Sequence, residues 1–467
     1  MSRTALDAIK NQLGPKGWID DPAELAPYLK PWRGAWNGSA DLLVRPATVQ
    51  EVAAVTKICA EHHVPLTIQG GNTGLVGGQV PEGGVLLSTQ RLNALREVDP
   101  VEDVIVAEAG VTIAQVQEAA ASHGRLFPLS FAAEGSATVG GAIATNAGGT
   151  SVLRYGSTRD LVLGVEAVLP DGRILHDLNR LRKNNSGYDL KQLFIGAEGT
   201  LGIVTAAVLK LHSRIGDRAV ALVGVDDPAR AIDLLLSARA ACGGNISAFE
   251  LISGVGVTLA ARHVPGVRLP LGTSPPWYVL IDLGYPQGDR ARPAIEALIL
   301  AGYEAGLISD GVIAENETQI KALWRIREVQ SEAQRASGPS WSFDLSVPVS
   351  RMPSFIKAVG ECIARNIAGA VPMPFGHVGD GNIHYNIMYV GDGGADDMEN
   401  MTLRINEIIF DNILKFQGSI SAEHGIGKKN RENLLRYKDG LQIDLMKNLK
   451  CLMDGNLNMN RDVIFRN

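Results

Sequence analysis

The chain predicts an α+β protein built from two domains, and three features point there. Capped helices alternate with short strands and glycine-rich turns up to about residue 213. The texture changes at Ser213-Arg214-Ile215-Gly216. Beyond it the order runs strand Ala219 to Val225, helix Pro228 to Ala241, strand Ile246 to Leu251, strand Trp277 to Leu283 and helix Ala291 to Ala301. That mixed order suits a ferredoxin-like antiparallel sheet covered by helices. At 467 residues the chain is long enough to bury a core in each part.

Residues 1 to about 40 read as a helical lead-in with a loop. Thr48-Val49-Gln50-Glu51 is a capping box, whose hydroxyl and carboxylate can satisfy the first amides of a helix. Val52, Val55, Ile58 and Cys59 repeat at helical spacing, and the helix fades at His62-His63, a solvated end that suits the helix dipole. Strand Val64 to Gln69 runs straight into Gly70-Gly71-Asn72-Thr73-Gly74-Leu75-Val76-Gly77-Gly78. Such a turn bares amides that can cradle phosphate oxygens, and it can equally be a structural turn. It is neither the GxGxxG fingerprint nor a P-loop.

Strands Val85 to Thr89 and Asp103 to Ala109 follow, then a helix capped at Thr112 that ends near His123-Gly124. The small-residue run Gly135 to Gly149 leaves its backbone open to a large flat ligand, or to close helix packing. Asp160 to His176 reads as a hairpin turning at Pro170-Asp171-Gly172. Gly196 to Thr205 is a second glycine turn entering a strand. In the second domain one long helix is expected from Thr318 to about Arg335, with Ile320, Leu323, Trp324, Ile326 and Val329 as its apolar stripe. A helix from Met398 to Phe416 and a basic helical tail beginning near Lys428 close the chain.

The densest chemistry lies at Gly376-His377-Val378-Gly379-Asp380-Gly381-Asn382-Ile383-His384-Tyr385-Asn386. Apolar residues on both sides suggest two strands joined by a tight turn, which can bring both imidazoles to one point. Asn386, two residues after His384, shares its face. A carboxylate from Ser421-Ala422-Glu423-His424-Gly425 would complete a His, His, Glu set, a common ligand set for catalytic zinc. Two loop histidines and a glutamate that never meet are the plainer alternative.

Composition narrows the partners. Net charge is −6 with no Lys/Arg-rich run, which points away from nucleic acid. No apolar run reaches the roughly 18 residues a membrane span needs. The N-terminus carries acids early and has no apolar signal core. Cys59, Cys242, Cys362 and Cys451 form no CxxC pair or cluster run, so reduced thiols in the cytoplasm are expected.

Read together, Gln69 to Gly74, Thr138 to Gly149 with Arg154-Tyr155-Gly156, Asn184 to Thr205, and Gly376 to Asn386 with Ala422 to Gly427 resemble the vanillyl-alcohol-oxidase type of FAD enzyme with a C-terminal cap. Within that group the chain is similar to the FAD-dependent D-2-hydroxy-acid dehydrogenases, which include the D-2-hydroxyglutarate, D-lactate and glycolate enzymes. The resemblance implies an FAD-binding domain over 1–213, a cap with the metal site over 214–425, and a segment 426–467 returning to the FAD domain. It implies FAD held by Gly70, Gly71, Asn72, Thr73, Gly74 and Leu75, by Gly140, Gly141, Asn146, Gly148 and Gly149, and by Glu198, Gly199, Gly202, Ile203, Val204 and Asn460. No Cys or His stands in the Gly70 loop, so the flavin is expected to be dissociable.

The resemblance also implies a divalent metal, zinc in the first instance, on His377, His384 and Glu423. Asn386 and His424 would face substrate, His424 as the general base. Arg327 would grip a substrate carboxylate, as a planar fork suits it to do. Ser331, one turn on, matches a hydroxyl-bearing position. The implied reaction oxidises a D-2-hydroxy acid, whose hydroxyl is bound to zinc, by hydride transfer to flavin N5. A separate acceptor, an electron-transfer flavoprotein or a quinone, then takes the electrons. The oligomeric state is open, a homodimer being one option.

Two positions depart from the family. Ser342 stands where the hydroxyglutarate enzymes carry lysine, which weakens the case for hydroxyglutarate itself and leaves a D-2-hydroxyglutarate-like or a D-lactate-like substrate open. Asn460-Arg461-Asp462 replaces an Asn-Pro-Gly ending. The competing classes are a zinc hydrolase with purely structural glycine runs, and a flavin-binding protein without activity.

Overall fold

The computed structural model describes residues 3–33, 36–391 and 395–466, and the chain forms two compact units. One holds Met1–Gly149, Tyr155–Arg214 and Glu423–Asn467, and the other holds Thr150–Arg154 and Ile215–Ala422.

The first unit has two principal sheets. In the four-stranded one the order is Trp18–Ile19, Leu42–Val44, Val85–Ser88, Leu66–Gln69. Val85–Ser88 pairs in parallel with both neighbours, Leu42–Val44 and Leu66–Gln69. Its strands Leu42–Val44 and Val85–Ser88 are buried at every position, as parallel strands covered on both faces must be. The second sheet is antiparallel, in the order Leu95–Asp99, Val104–Glu108, Ile203–Lys210, Val162–Val168, Ile174–Asp177. The predicted hairpin is its edge: Val165 pairs with Asp177 and Val168 with Ile174.

Helix starts follow the sequence signals. Thr48 accepts the Glu51 amide at 3.2 Å while the Glu51 carboxylate takes the Ala47 amide at 2.6 Å. Thr112 and Gln115 form a reciprocal capping box. The small-residue run contains a helix, Val139–Thr145. Gly140 lets that helix press on the end of strand Val104–Glu108, since an added Cβ would lie 2.7 Å from Ala109 Cβ.

The second unit is an antiparallel sheet in the order Asp310–Ile313, Asp217–Val225, Trp277–Tyr285, Ile246–Ser253, Phe375–His377, Asn382–Tyr389, Ser340–Ser346, with Ala370–Pro372 also pairing to Asn382–Tyr389. Ile320, Leu323, Ile326 and Val329 pack into its core beside Ile252, Val257 and Phe375.

One expectation is corrected here. The single helix expected over 318–335 is two, Glu317–Glu328 and Gln330–Ala336, parted at Val329. There the Gln330 side chain donates to Ile326 O at 2.7 Å, competing for a carbonyl that the helix ladder uses. The second compact unit runs to Ala422, whose amide donates to Asp344 Oδ2 at 3.2 Å. And it takes in Thr150–Arg154, whose guanidinium donates to Ser247 Oγ at 3.2 Å and to Gly284 O. Among the described residues no helix is long and apolar enough to cross a membrane.

Candidate active site

Strand register builds the imidazole site of the second unit. Glu250 lies directly opposite His377, Phe375 opposite His384, Asp344 opposite His384 from the other side, and Ser342 opposite Asn386. Directly opposed residues project from the same face, as do residues two apart. One sheet face therefore presents Glu250, Phe375, His377, His384, Asp344, Asn386 and Ser342. The turn at Gly379 to Gly381 does what its residues predict: the His377 and His384 ring centroids stand 5.7 Å apart.

Each imidazole has a carboxylate. His377 Nδ1 lies 2.6 Å from Glu250 Oε1. A carboxylate can only accept, so Nδ1 carries a proton toward Glu250. His384 Nδ1 lies 3.7 Å from Asp344 Oδ1, whose atoms also accept from Asn382 Nδ2 at 3.0 Å and the Ala422 amide at 3.2 Å. Carboxylates behind imidazoles are the usual outer partners of metal-bound histidine. Glu250 and Asp344 are the functional candidates that sequence reasoning missed. The available signal was an acid alone in an apolar strand, Phe249-Glu250-Leu251 and Phe343-Asp344-Leu345, since a buried charge demands a partner.

Arg327 is buried at 8% exposure. Its Nε donates to Glu250 Oε2 at 2.6 Å, Nη2 lies 3.3 Å from His377 Nε2, and the guanidinium covers the Phe375 ring at 4.7 Å. Burial would push the Glu250 carboxyl up, but the His377 and Arg327 charges and hydrogen bonds more than offset it and hold it at about 2. Asn386, 2% exposed, donates to Gln334 Oε1. The Gln334 amide in turn donates to Trp341 O at 3.1 Å and Ser342 Oγ at 3.2 Å. Ser331 lies past the break at Val329, partly buried.

The first unit holds the glycine cradle. Gly71 has no room for a side chain, because a Cβ would lie 1.9 Å from Ser136 O, and one on Gly70 would lie 2.4 Å from Thr138 Oγ1. The two predicted glycine segments thus abut. Asn72 adopts a left-handed φ of 55° and donates to Lys30 O at 3.0 Å, while its buried Oδ1 has no partner. Thr73, Gly74 and Leu75 are partly buried beside it. Thr138 Oγ1 caps the next helix at the Gly141 amide, and Asn146 ends it at φ 48°. The Gly149 amide donates to Glu423 Oε1 at 2.7 Å, and a Cβ on Gly148 would lie 2.5 Å from that oxygen.

Gly202 packs under the Phe194 ring, and Ile203 and Val204 are buried at the start of their strand. Asn460 bridges the Ile68 amide, at 2.8 Å, and the Glu198 carbonyl. Gly199, at φ 71°, makes room for it. His424 is partly buried, next to Glu423.

Comparisons with known proteins agree. A family model described as FAD binding domain matches residues 40–177, and one described as FAD linked oxidases, C-terminal domain, matches 216–464. The probable D-2-hydroxyglutarate dehydrogenase, mitochondrial, of Oryza sativa subsp. japonica is 36% identical over 97% of this chain and 80% of its own length. The putative D-lactate dehydrogenase C713.03, mitochondrial, of Schizosaccharomyces pombe is 34% identical over 93% of this chain and 84% of its own length. Among solved structures, p-cresol methylhydroxylase with substrate bound matches at a TM-score of 0.75 and 17% identity, over 98% of this chain and 96% of that one. That neighbour shows the vanillyl-alcohol-oxidase-type fold. Domain models that span most of the sequence, together with relatives of this identity along nearly its full length, establish that the chain belongs to the FAD-dependent D-2-hydroxy-acid dehydrogenase family.

Proposed function

We propose that this chain oxidises a D-2-hydroxy acid to the 2-oxo acid, using dissociable FAD and a divalent metal, zinc in the first instance. The observation that carries the metal is the pairing, by register, of each imidazole with its own carboxylate on one sheet face. Glu423 follows Ala422 by one peptide bond, and the Ala422 amide is fastened to Asp344 beside His384. His377, His384 and Glu423 are the ligands in this reading. Two neutral imidazoles and a carboxylate suit zinc chemically, and manganese or iron remain outcomes of metal analysis.

FAD fits the first unit. The touching glycine segments expose backbone without side chains, and the buried Asn72 Oδ1 awaits a donor. When bound, it supplies the two-electron acceptor for the hydride of substrate C2. The metal, when bound, supplies Lewis acidity toward the substrate hydroxyl.

The chain does the rest. Arg327, with Nε fixed by Glu250, offers the outer edge of its guanidinium to the substrate carboxylate and so sets the pose. His424 accepts the hydroxyl proton. Asn386, steadied by Gln334, supplies a polar neighbour to the reacting carbon. Gln334 and Ser342 form a neutral patch beside Asn386, which favours a monocarboxylic acid with a short or apolar side chain over hydroxyglutarate. Electrons leave to a separate carrier, an electron-transfer flavoprotein or a quinone. The cytoplasmic setting expected from the reduced cysteines is kept in this reading, and all four thiols are free.

An anaerobic screen tests this. D-2-hydroxy acids should bleach the flavin of the purified protein, L forms should not, and chelation should stop the bleaching. A purified protein without flavin absorbance, or one indifferent to every D acid, would refute it.

A further inference from the structure

Residues 420–430 run without helix or strand, so their amides need acceptors from elsewhere. Two of them find one side chain. The Ile426 and Gly427 amides donate to Glu198 Oε1 and Oε2, each at 2.8 Å. Just beyond, the Lys428 and Lys429 amides donate to Val76 O at 2.9 and 3.1 Å, and the buried Lys428 Nζ reaches Val80 O at 2.8 Å and Glu82 at 2.7 Å. Glycine at 425 is required twice over: its φ is +81°, and a Cβ there would lie 2.9 Å from Glu198 Oε1.

Glu198 is itself held in place. It has a left-handed φ of 51°, donates its amide to Ala144 O at 2.7 Å, and its carbonyl accepts from Asn460. Both carboxylate oxygens are spent on the loop, and an anion here would repel the phosphates of a nucleotide rather than hold them. On the near side of His424, Glu423 Oε1 accepts the Gly149 amide at 2.7 Å.

We propose that Glu198 is a positioning residue, not a flavin contact: it clamps the Gly425 to Gly427 turn and so fixes how the two residues before it, Glu423 and His424, present their side chains. The catalytic consequence rests on the reading of His424 as the base.

Glu198→Gln keeps the shape but turns an NH2 toward one donor amide. In the holoenzyme, hydrogen exchange at 425–428 should quicken by about tenfold or more, the scale of one lost buried hydrogen bond. FAD content should stay at wild type. The rate constant for flavin reduction should fall by a similar factor of about ten while KM moves within about threefold, since the loss is in presentation and not in capture. Gly425→Ala should reproduce the faster exchange with Glu198 intact, and it decides the question if Glu198→Gln does not fold. Wild-type exchange in the variants overturns the clamp, as does a Glu198→Gln protein that sheds FAD yet turns over normally per flavin bound. A wild-type protein that no hydroxy acid reduces would sink the functional reading instead, and the exchange measurement would still judge the clamp.

Discussion

Glu250 and Glu198 are both carboxylates taken almost wholly out of water, at 1% and 8% exposure, one in each unit. Burial is the largest influence on both and pushes both up. They end in opposite places: Glu250 is held at about 2, and Glu198 is pushed to about 7. The difference lies in what faces them. Glu250 meets a guanidinium at 2.6 Å and an imidazole at 2.6 Å. Glu198 meets two backbone amides, with the uncharged Gly78 and Gly425 around it. Peptide dipoles repay part of the cost of burying a charge, while facing cations repay all of it. One carboxylate is a fixed anion, and the other sits near its own titration point.

Removing the fixed anion should give the largest effect. Glu250→Gln strands the Arg327 charge beside His377, and breaking a buried pair from one side typically costs about 3–5 kcal/mol. The urea midpoint should fall accordingly at unchanged slope. Glu250→Gln combined with Arg327→Gln should lose less than the two single variants summed, because no charge is then orphaned. A single-variant loss below about 1 kcal/mol would mean that the pair is wetter than its exposure implies.

Glu198 supplies the pH counterpart. Its folded value, about 7, lies above the ordinary 4.5. Between those values the folded chain binds a proton that the unfolded chain has released, so stability is greatest below pH 4.5 and is lost as pH rises through 7. The loss is at most about 3 kcal/mol. Wild-type urea midpoints should fall relative to those of Glu198→Gln, which does not titrate, as pH rises through that window. Parallel curves would show that the two amides suffice to keep the carboxylate charged.

Asp344→Asn sharpens the contrast inside the second unit. Asp344 lies farther from its imidazole than Glu250 does, 3.7 Å against 2.6 Å, and divides itself between His384, Asn382 and the Ala422 amide. If the proposed metal binds at His384, the substitution should weaken its binding by about 10-fold to 100-fold, the usual scale for an outer partner of a metal-bound histidine. Titration against a competing chelator measures it, and unchanged affinity would remove Asp344 from that role.

What the sequence revealed of these sites was local. His377 and His384 are seven positions apart across a glycine turn, so their meeting could be read from spacing. The Gly70 turn and the small-residue run Gly135 to Gly149 were legible as open backbone, though not that Gly70 and Gly71 abut Ser136 and Thr138. That Gly140 and Gly202 leave no room for a side chain beside Ala109 and Phe194 was not legible, since those neighbours come from elsewhere in the chain. Glu250 was legible only as an acid alone in an apolar strand, because its link to His377 exists only through pairing of strands far apart in the chain. The break at Val329 was hidden as well, since the apolar period runs through it and only the Gln330 side chain disturbs the ladder.

The same lesson about facing cations gives the smallest prediction. Ser342 is exposed and shares hydrogen bonds with the neutral Gln334, whose Oε1 takes the Asn386 amide. If cations are what hold carboxylates on this sheet face, Ser342→Lys should raise kcat/KM for D-2-hydroxyglutarate relative to D-lactate by about tenfold, or about 1.4 kcal/mol. Stability should change by no more than about 0.5 kcal/mol, because the position is on the surface. Stopped-flow reduction with both acids gives the ratio directly. A ratio unmoved in a folded, flavin-loaded variant would mean that the far end of the substrate does not lie over Ser342, and that what sets the preference is the Gln334 and Asn386 pair alone.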